Sequence, residues 1–203
     1  MIRRIGTILL VAVFAGAGSA AAQVTGMTAF SAPYRAFNSH EFGGTLSFPE
    51  GGGVAAEGLY GFGSGRFDVE LRGGFWKPSD PEDTRILAGV NLRQRVLEHS
   101  ETFPLDGAVV FGLGAQLVEN FSRVLVPVGL SLGRRLDVDD SEVSIVPFVQ
   151  PTGFLTAGSN QDTNLNFALG LGADFRLSRM FDARVSVGLG DLEGFSISAV
   201  WLR

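Results

Sequence analysis

The stretch Asn164-Leu-Asn-Phe-Ala-Leu-Gly-Leu-Gly-Ala-Asp-Phe-Arg-Leu177 decides the fold class. Its large apolar residues, from Leu165 to Leu177, all take one parity, whereas the positions between them hold Asn, Ala, Gly, Asp and Arg. Successive side chains of a β-strand point to opposite faces, so the pattern predicts one strand with an apolar face and a small or polar face. A tilted strand of roughly 9–11 residues crosses a bilayer, so this strand is long enough to do so.

Nine further segments repeat this alternation, and short turn-forming sequences separate them. They are Glu41–Phe48, Val54–Phe62, Arg66–Trp76, Thr84–Leu97, Leu105–Val118, Arg123–Leu136, Glu142–Leu155, Phe181–Gly190 and Gly194–Leu202. We therefore predict an all-β fold over residues 41–203. It is a transmembrane antiparallel up-and-down β-barrel of about 10 strands, and 8–12 strands also fit the pattern.

One predicted strand, Glu142–Leu155, departs from the clean alternation. Pro147 and Pro151 interrupt it and neither parity is purely apolar, while Pro127 interrupts the preceding strand. Because proline cannot donate to a strand ladder, we predict a local bulge at these positions.

The contents of the two faces distinguish a membrane barrel from a soluble one. A soluble barrel fills its interior with bulky apolar groups and exposes charged side chains to water. Here the bulky face carries Leu, Val, Phe and Ile with almost no charge, and the opposite face is rich in Gly, Ala, Ser and Asn with scattered charges. Lipid outside and a polar, tightly filled lumen inside account for both faces.

The N-terminus has the three parts of a secretory signal peptide. Arg3 and Arg4 form a basic start, residues 8–17 form a short apolar run, and residues 19–22 supply the small residues of a cleavage site. We predict that residues 1–22 are removed and that the mature chain begins at Gln23.

Residues 23–40 form an N-terminal segment of uncertain structure. Phe30, Tyr34 and Phe37 share a helical spacing, but Pro33 lies among them. An extra strand and a tether inside the lumen both remain open.

Composition narrows the functional classes. The net charge is −5, which argues against a nucleic-acid partner, since such a partner favours a clustered basic face. The chain of 203 residues has no Cys, which excludes disulfides and thiolate metal sites. We expect no cofactor and no metal.

Over residues 41–203 the chain resembles the small bacterial outer-membrane β-barrel proteins, the group that includes OmpA-type and OmpW-type barrels. The resemblance rests on the strand pattern, the signal peptide and the last strand, where Phe195, Ile197, Ala199 and Trp201 alternate. Such proteins usually end on an aromatic residue, whereas this chain ends with Leu202-Arg203. The resemblance implies a Gram-negative outer membrane, contact with its lipid, and insertion by the barrel assembly machinery.

Ten charged residues of the small or polar face are predicted to line the lumen. They are Arg66, Asp68, Glu70, Arg72, Arg93, Arg95, Asp174, Arg176, Asp182 and Arg184. They form either a salt-bridged packing network, because unpaired charges are costly away from water, or a selectivity lining for small solutes. A ten-stranded barrel leaves little open bore, which favours the packing network.

No motif indicates an enzyme. His99-Ser100-Glu101 places its residues side by side, where they cannot orient one another as a catalytic triad does, His40 stands alone, and no G-x-S-x-G sequence occurs. The acidic run 137–142 lacks the glycine and the spacing of an EF-hand and is expected to be a solvated turn.

We therefore predict a structural or envelope-integrity barrel with a largely packed lumen. A narrow porin-like channel for small solutes is the alternative. A surface-binding or adhesion protein is a second alternative, which the short connections disfavour.

Overall fold

The computed structural model describes residues 24–33, 40–79, 83–119, 121–139, 141–159 and 161–203. The predicted signal peptide, residues 1–22, lies outside the described residues. Across these ranges, no helix is long and apolar enough to span a membrane.

Eleven strands occur in the described chain. Their bounds are β1 Glu41–Pro49, β2 Val54–Ser64, β3 Phe67–Lys77, β4 Arg85–Leu97, β5 Asp106–Val118, β6 Phe121–Gly133, β7 Leu136–Asp137, β8 Ser144–Gly158, β9 Gln161–Ser178, β10 Phe181–Gly190 and β11 Gly194–Leu202. They form one antiparallel sheet in the order β6-β5-β4-β3-β2-β1-β11-β10-β9-β8-β7, and pairing of β6 with β8 closes it. The two-residue strand β7 pairs only at the edge of β8, so ten strands form the barrel. The predicted closed antiparallel barrel of about 10 strands is confirmed.

The prolines of β6 and β8 do not produce the predicted bulge. Phe111 pairs with Val128 and Gly114 pairs with Leu125, so the register is the same on both sides of Pro127. The β6–β8 ladder likewise lacks pairs beside Pro151 without changing register. A proline that removes one donor leaves a gap in the ladder, whereas a bulge needs an additional residue.

Most large apolar side chains of the barrel strands point outward. Leu165 is 64% exposed, Ile86 is 59% exposed and Phe67 is 58% exposed. The opposite parity points inward and buries polar side chains such as Glu57 and Gln150. The outer wall is therefore apolar and the inner wall polar.

The two rims of the barrel are distinguished by where the first and last strands begin and end. At one rim β1 begins and β11 ends, and the backbone N–H of Arg203 donates to the carbonyl of His40 at 2.8 Å. We call this end the terminal rim. The other end, where β1 ends and β2 and β11 begin, is the far rim.

Candidate functional site

Residues 24–33 lie inside the barrel, and we call them the lumenal segment. All ten are buried although they form neither helix nor strand. Val24 packs beside Gly89 and Gly112 on the inner wall of β4 and β5, and Pro33 lies beside Gly133 near the terminal rim. The lumen of the barrel is thus occupied by the protein's own chain.

Hydrogen bonds from several strands hold the lumenal segment by its backbone. Its carbonyl groups accept from side chains of the wall, which satisfies buried backbone oxygens that water cannot reach. The bonds are Gln116 Nε2 to the Thr25 carbonyl at 2.8 Å, Ser186 Oγ to the Thr28 carbonyl at 2.6 Å, Ser131 Oγ to the Ser31 carbonyl at 2.7 Å, and Arg93 Nη1 to the Ala32 carbonyl. The hydroxyl groups of Thr28 and Ser196 lie 2.8 Å apart as well.

Apolar contacts fix the lumenal segment at two levels. Phe30 and Ala32 pack in a buried cluster with the inward-facing Phe148 and Phe154 of β8. Met27 packs with Leu87 and other residues near the far rim. This contact explains why apolar residues occur on both faces of β8. Part of its inner face packs against the lumenal segment rather than against polar side chains.

Two inward glycines make room for the lumenal segment. A Cβ on Gly114 would overlap the carbonyl oxygen of Val24, and a Cβ on Gly170 would overlap the ring of Phe30. By contrast, a Cβ on the outward-facing Gly58 would have its nearest neighbour 3.8 Å away. The inward glycines therefore permit the close approach of a second segment of backbone.

A network of buried ion pairs surrounds the lumenal segment in the half of the barrel next to the terminal rim. Each of four arginines bonds a carboxylate, and together the pairs connect β1, β3, β4, β9 and β10. The distances are 2.7 Å for Arg184–Glu41, 2.9 Å for Arg93–Asp68, 2.6 Å for Arg72–Glu70 and 2.8 Å for Arg176–Asp182. Pairing of this kind offsets the cost of moving these charges out of water.

The network contains more acidic than basic groups. Its carboxylates are Glu41, Glu57, Asp68, Glu70, Asp174 and Asp182, and its guanidinium groups are those of Arg72, Arg93, Arg176 and Arg184. With all of them ionised, six negative and four positive charges leave this network with a net charge of −2. Arg85 and Arg123 lie on the inward-facing positions of β4 and β6 outside this network, nearer the far rim. Of the six carboxylates, Glu57 lies farthest from its nearest guanidinium group, 3.8 Å from that of Arg72.

The structure places one of the ten predicted lumen charges outside the lumen and another at its mouth. Arg66 precedes β3 in an exposed hairpin, where its side chain is 67% exposed and pairs with Glu98 at 3.3 Å. Arg95 lies at the terminal rim and bonds the carboxylate of Asp106 at 2.6 Å. The other eight lie in the network described above.

The histidines and the acidic run show no catalytic or metal-binding arrangement within the described residues. His99 Nδ1 lies 3.2 Å from Asp106 Oδ2, whereas Ser100 Oγ bonds the hydroxyl of Thr102 rather than the imidazole. His40 bonds the Tyr60 hydroxyl at 2.8 Å. Across the described ranges, no group of three or more His, Cys, Asp or Glu side chains is arranged to hold a metal ion.

The predicted set of lumen charges omitted several residues that the structure brings into the lumen. Glu41 and Glu57 lie on the inward parity of β1 and β2, so the alternation alone could have identified them. Gln116 and Gln150 also lie on that parity but are uncharged. The lumenal segment has no strand periodicity, and no sequence signal indicated its partners.

Comparison with known proteins gives a likeness of fold. No protein-family model matches the chain, and no curated protein sequence matches it. A bacterial polysaccharide outer membrane secretin matches with a TM-score of 0.49 and 13% identity, covering 84% of this chain and 67% of that one. The β domain of the Bordetella autotransporter BrkA matches with a TM-score of 0.49 and 14% identity, covering 82% of this chain and 99% of that one. The resemblance to OmpA-type and OmpW-type barrels stays a prediction.

Proposed function

We propose that this protein is a bacterial outer-membrane β-barrel whose lumen is closed by its own chain, with a structural or envelope-integrity role and no enzymatic activity. The observation that carries the proposal is the lumenal segment, which is buried over its ten residues and bonded to β4, β5, β6, β10 and β11. We expect a lumen filled in this way to offer a solute no continuous water path.

The outer wall supports placement in a membrane. A closed barrel pairs its strand edges, which is the condition for β-structure in lipid, and the exposed apolar side chains would otherwise face water. Aromatic side chains gather near the terminal rim, where Trp201 lies 6.1 Å from Phe42 and 5.1 Å from Phe181 between ring centroids. Such aromatic groups are typical of the membrane interface.

Export and assembly form part of the same proposal. The signal peptide at residues 1–22 would direct the chain out of the cytoplasm, the barrel assembly machinery would insert it, and outer-membrane lipid would cover its wall. The resemblance to small Gram-negative barrels of the OmpA and OmpW types supports this route.

Ion conductance across a planar bilayer tests the closed lumen. We expect the folded mature protein to give no stepwise conductance. The variant Thr28→Cys/Ser196→Cys provides the control, because the contact between the two hydroxyl groups places these side chains within reach of a disulfide, and the native chain has no Cys. Stepwise conductance in the oxidised, locked variant would contradict the proposal.

A narrow channel for small solutes is the second candidate function. The excess of two carboxylates in the network favours it, since acidic groups in the half of the lumen next to the terminal rim attract cations there. This candidate predicts that reducing the locked variant opens a pore that prefers potassium over chloride, and that oxidising the variant closes it again.

A further inference from the structure

Glu57 is a buried carboxylate of the lumen that shares its only close counter-charge. Its side chain is inaccessible to solvent, and neither of its carboxylate oxygens completes a hydrogen bond. The nearest guanidinium group, that of Arg72, lies 3.8 Å away and bonds Glu70 at 2.6 Å. One positive charge therefore serves two carboxylates, which leaves this group of three with a net charge of −1. Burial of a carboxylate without a partner of its own is costly, so the site favours one more positively charged donor.

Thr25 of the lumenal segment lies next to this carboxylate. Met27 packs in one cluster with Ala55, which is two positions before Glu57 on the inward face of β2, and Thr25 is two positions before Met27. The Thr25 hydroxyl approaches the Glu57 carboxylate, yet both groups are buried without completing a hydrogen bond. A group with several N–H donors could bond the carboxylate and the hydroxyl oxygen together.

The other basic side chains described near this site do not supply the missing charge. The arginines of the network other than Arg72 each bond another carboxylate, at 2.7 to 2.9 Å. Arg85 and Arg123 lie nearer the far rim, where the Arg85 guanidinium stacks over the Trp76 ring. Lys77 is on the outward parity of β3 and is exposed. The positive charge must therefore come from another group.

The mature chain begins close to this site. Cleavage after Ala22 would make Gln23 the first residue and give it an α-ammonium group. Gln23 lies outside the described residues, but its peptide bond keeps its Cα about 3.8 Å from that of Val24. Val24 is completely buried and packs beside Gly89, the residue of β4 that pairs with Arg72. Traced backwards from its far-rim contact at Met27, the lumenal segment thus leads into the acidic network.

We propose that the α-ammonium group of Gln23, created when the signal peptide is removed, pairs with the Glu57 carboxylate and completes the docking of the lumenal segment. Its three N–H donors bond the carboxylate and the Thr25 hydroxyl, and its charge reduces the excess of the network from −2 to −1. In the precursor the same nitrogen is an uncharged amide. Removal of the signal peptide is then the step that allows the lumen to close. This inference rests on the proposed export of the chain.

Cyclisation of Gln23 tests the pairing, because it removes the charge and changes no other residue. The α-amine nitrogen attacks the side-chain amide carbon, which closes a five-membered lactam and releases ammonia. The mature chain is cut from a fusion so that Gln23 is its first residue, cyclised while unfolded by a glutaminyl cyclase, and refolded in lipid vesicles. Reversible urea unfolding then compares the free-amine and cyclised forms of the wild type, Glu57→Gln and Glu98→Gln.

We expect cyclisation to lower the folding equilibrium constant of the wild type at least about tenfold, because it leaves a buried carboxylate without its partner. In Glu57→Gln the loss should be less than about threefold, since the pair is already absent. Glu98→Gln is the matched control, because Glu98 is exposed and pairs with Arg66 outside the lumen, so it should respond as the wild type does. Equal losses in the wild type and Glu57→Gln would overturn the proposal.

Amine acylation provides a second readout that needs no variant to fold. Lys77 is the one lysine of the sequence, so the mature protein has two amines. A water-soluble acylating reagent should modify the exposed Lys77 of the folded protein and spare the α-amine, whereas in urea it should modify both. Modification of the α-amine as fast as Lys77 in the folded protein would overturn the proposal, and so would membrane-extracted protein that retains residues 1–22. Either failure leaves the closed lumen to be decided by ion conductance alone.

Discussion

Arg184 on β10 donates to both carboxylate oxygens of Glu41 on β1, at 2.7 and 3.2 Å, and β11 lies between these two strands. The pair therefore joins the first and the penultimate strands of the barrel across the last one. Both side chains are almost fully buried. This contact spans the place where the two ends of the chain meet to close the barrel.

Replacing Glu41 by Gln should destabilise the barrel by about 3 kcal/mol. Breaking a buried pair by removing one charge costs roughly 3–5 kcal/mol, and the lower end applies because Asp174 remains 3.6 Å from Arg184. Reversible urea unfolding in lipid vesicles measures the loss. Arg66→Ala is the matched control, since its exposed pair with Glu98 should contribute about 0–1 kcal/mol. Equal losses in the two variants would show that the buried pair contributes no more to the free energy of unfolding than the exposed pair does.

Gly114→Ala should destabilise the protein by about 1–3 kcal/mol, because its Cβ would overlap the carbonyl of Val24 in the lumenal segment. Gly58→Ala points outward into open space and should be neutral or slightly stabilising. The same urea titration compares them. A neutral Gly114→Ala variant would mean that the lumenal segment does not pack against β5.

Arginine on the outer wall of β5 should report membrane depth. Leu113 lies near the middle of the strand and Leu117 near its far-rim end, and their exposed fractions are similar at 54% and 42%. Leu113→Arg should cost about 2–4 kcal/mol in lipid vesicles, and Leu117→Arg about 0–1 kcal/mol, because the second side chain reaches the interface. If Leu117→Arg costs as much as Leu113→Arg, the stability lost to an arginine on this wall does not depend on its depth in the lipid.

Glu50 should make stability depend on pH in the acidic range. Its pKa is raised by the hydrogen bond and the charge of Glu193, so its folded state holds a proton more tightly than the unfolded state does. The associated stability is present below about pH 4.3 and is lost as pH rises through the raised pKa. Unfolding midpoints of the wild type and Glu50→Gln, measured across this pH range, test the direction of this pH dependence. The wild type should lose stability relative to the variant as pH increases, and the opposite trend would contradict the assignment.

Cleavage after Ala22 should leave Gln23 as the first residue, because small residues precede it and the apolar run is too short for an anchor. Intact mass of the membrane-extracted protein decides between the two forms. A mass that includes residues 1–22 would contradict this prediction.

The alternation of side chains was enough to predict the barrel, its antiparallel order and which face of each strand is apolar. Two-residue periodicity is a local property, so a segment such as residues 164–177 shows its two faces without knowledge of any other strand. The same parity placed Asp68, Arg93 and Arg184 together on the polar face. It did not identify their partners, since Glu41 is 143 positions from Arg184 in the chain.

Tertiary structure alone decided what fills the barrel. The lumenal segment has no regular backbone, so no period marks it, and its partners Gln116, Ser131 and Ser186 are distant in sequence. Only closure of the sheet brings these side chains around Thr25, Thr28 and Ser31. The same closure explains the apolar inward residues of β8 that the alternation could not place, because they pack against Phe30 and Ala32 inside the barrel. A local pattern determines which way each side chain points, whereas the contents of the lumen depend on contacts between segments that are far apart in the chain.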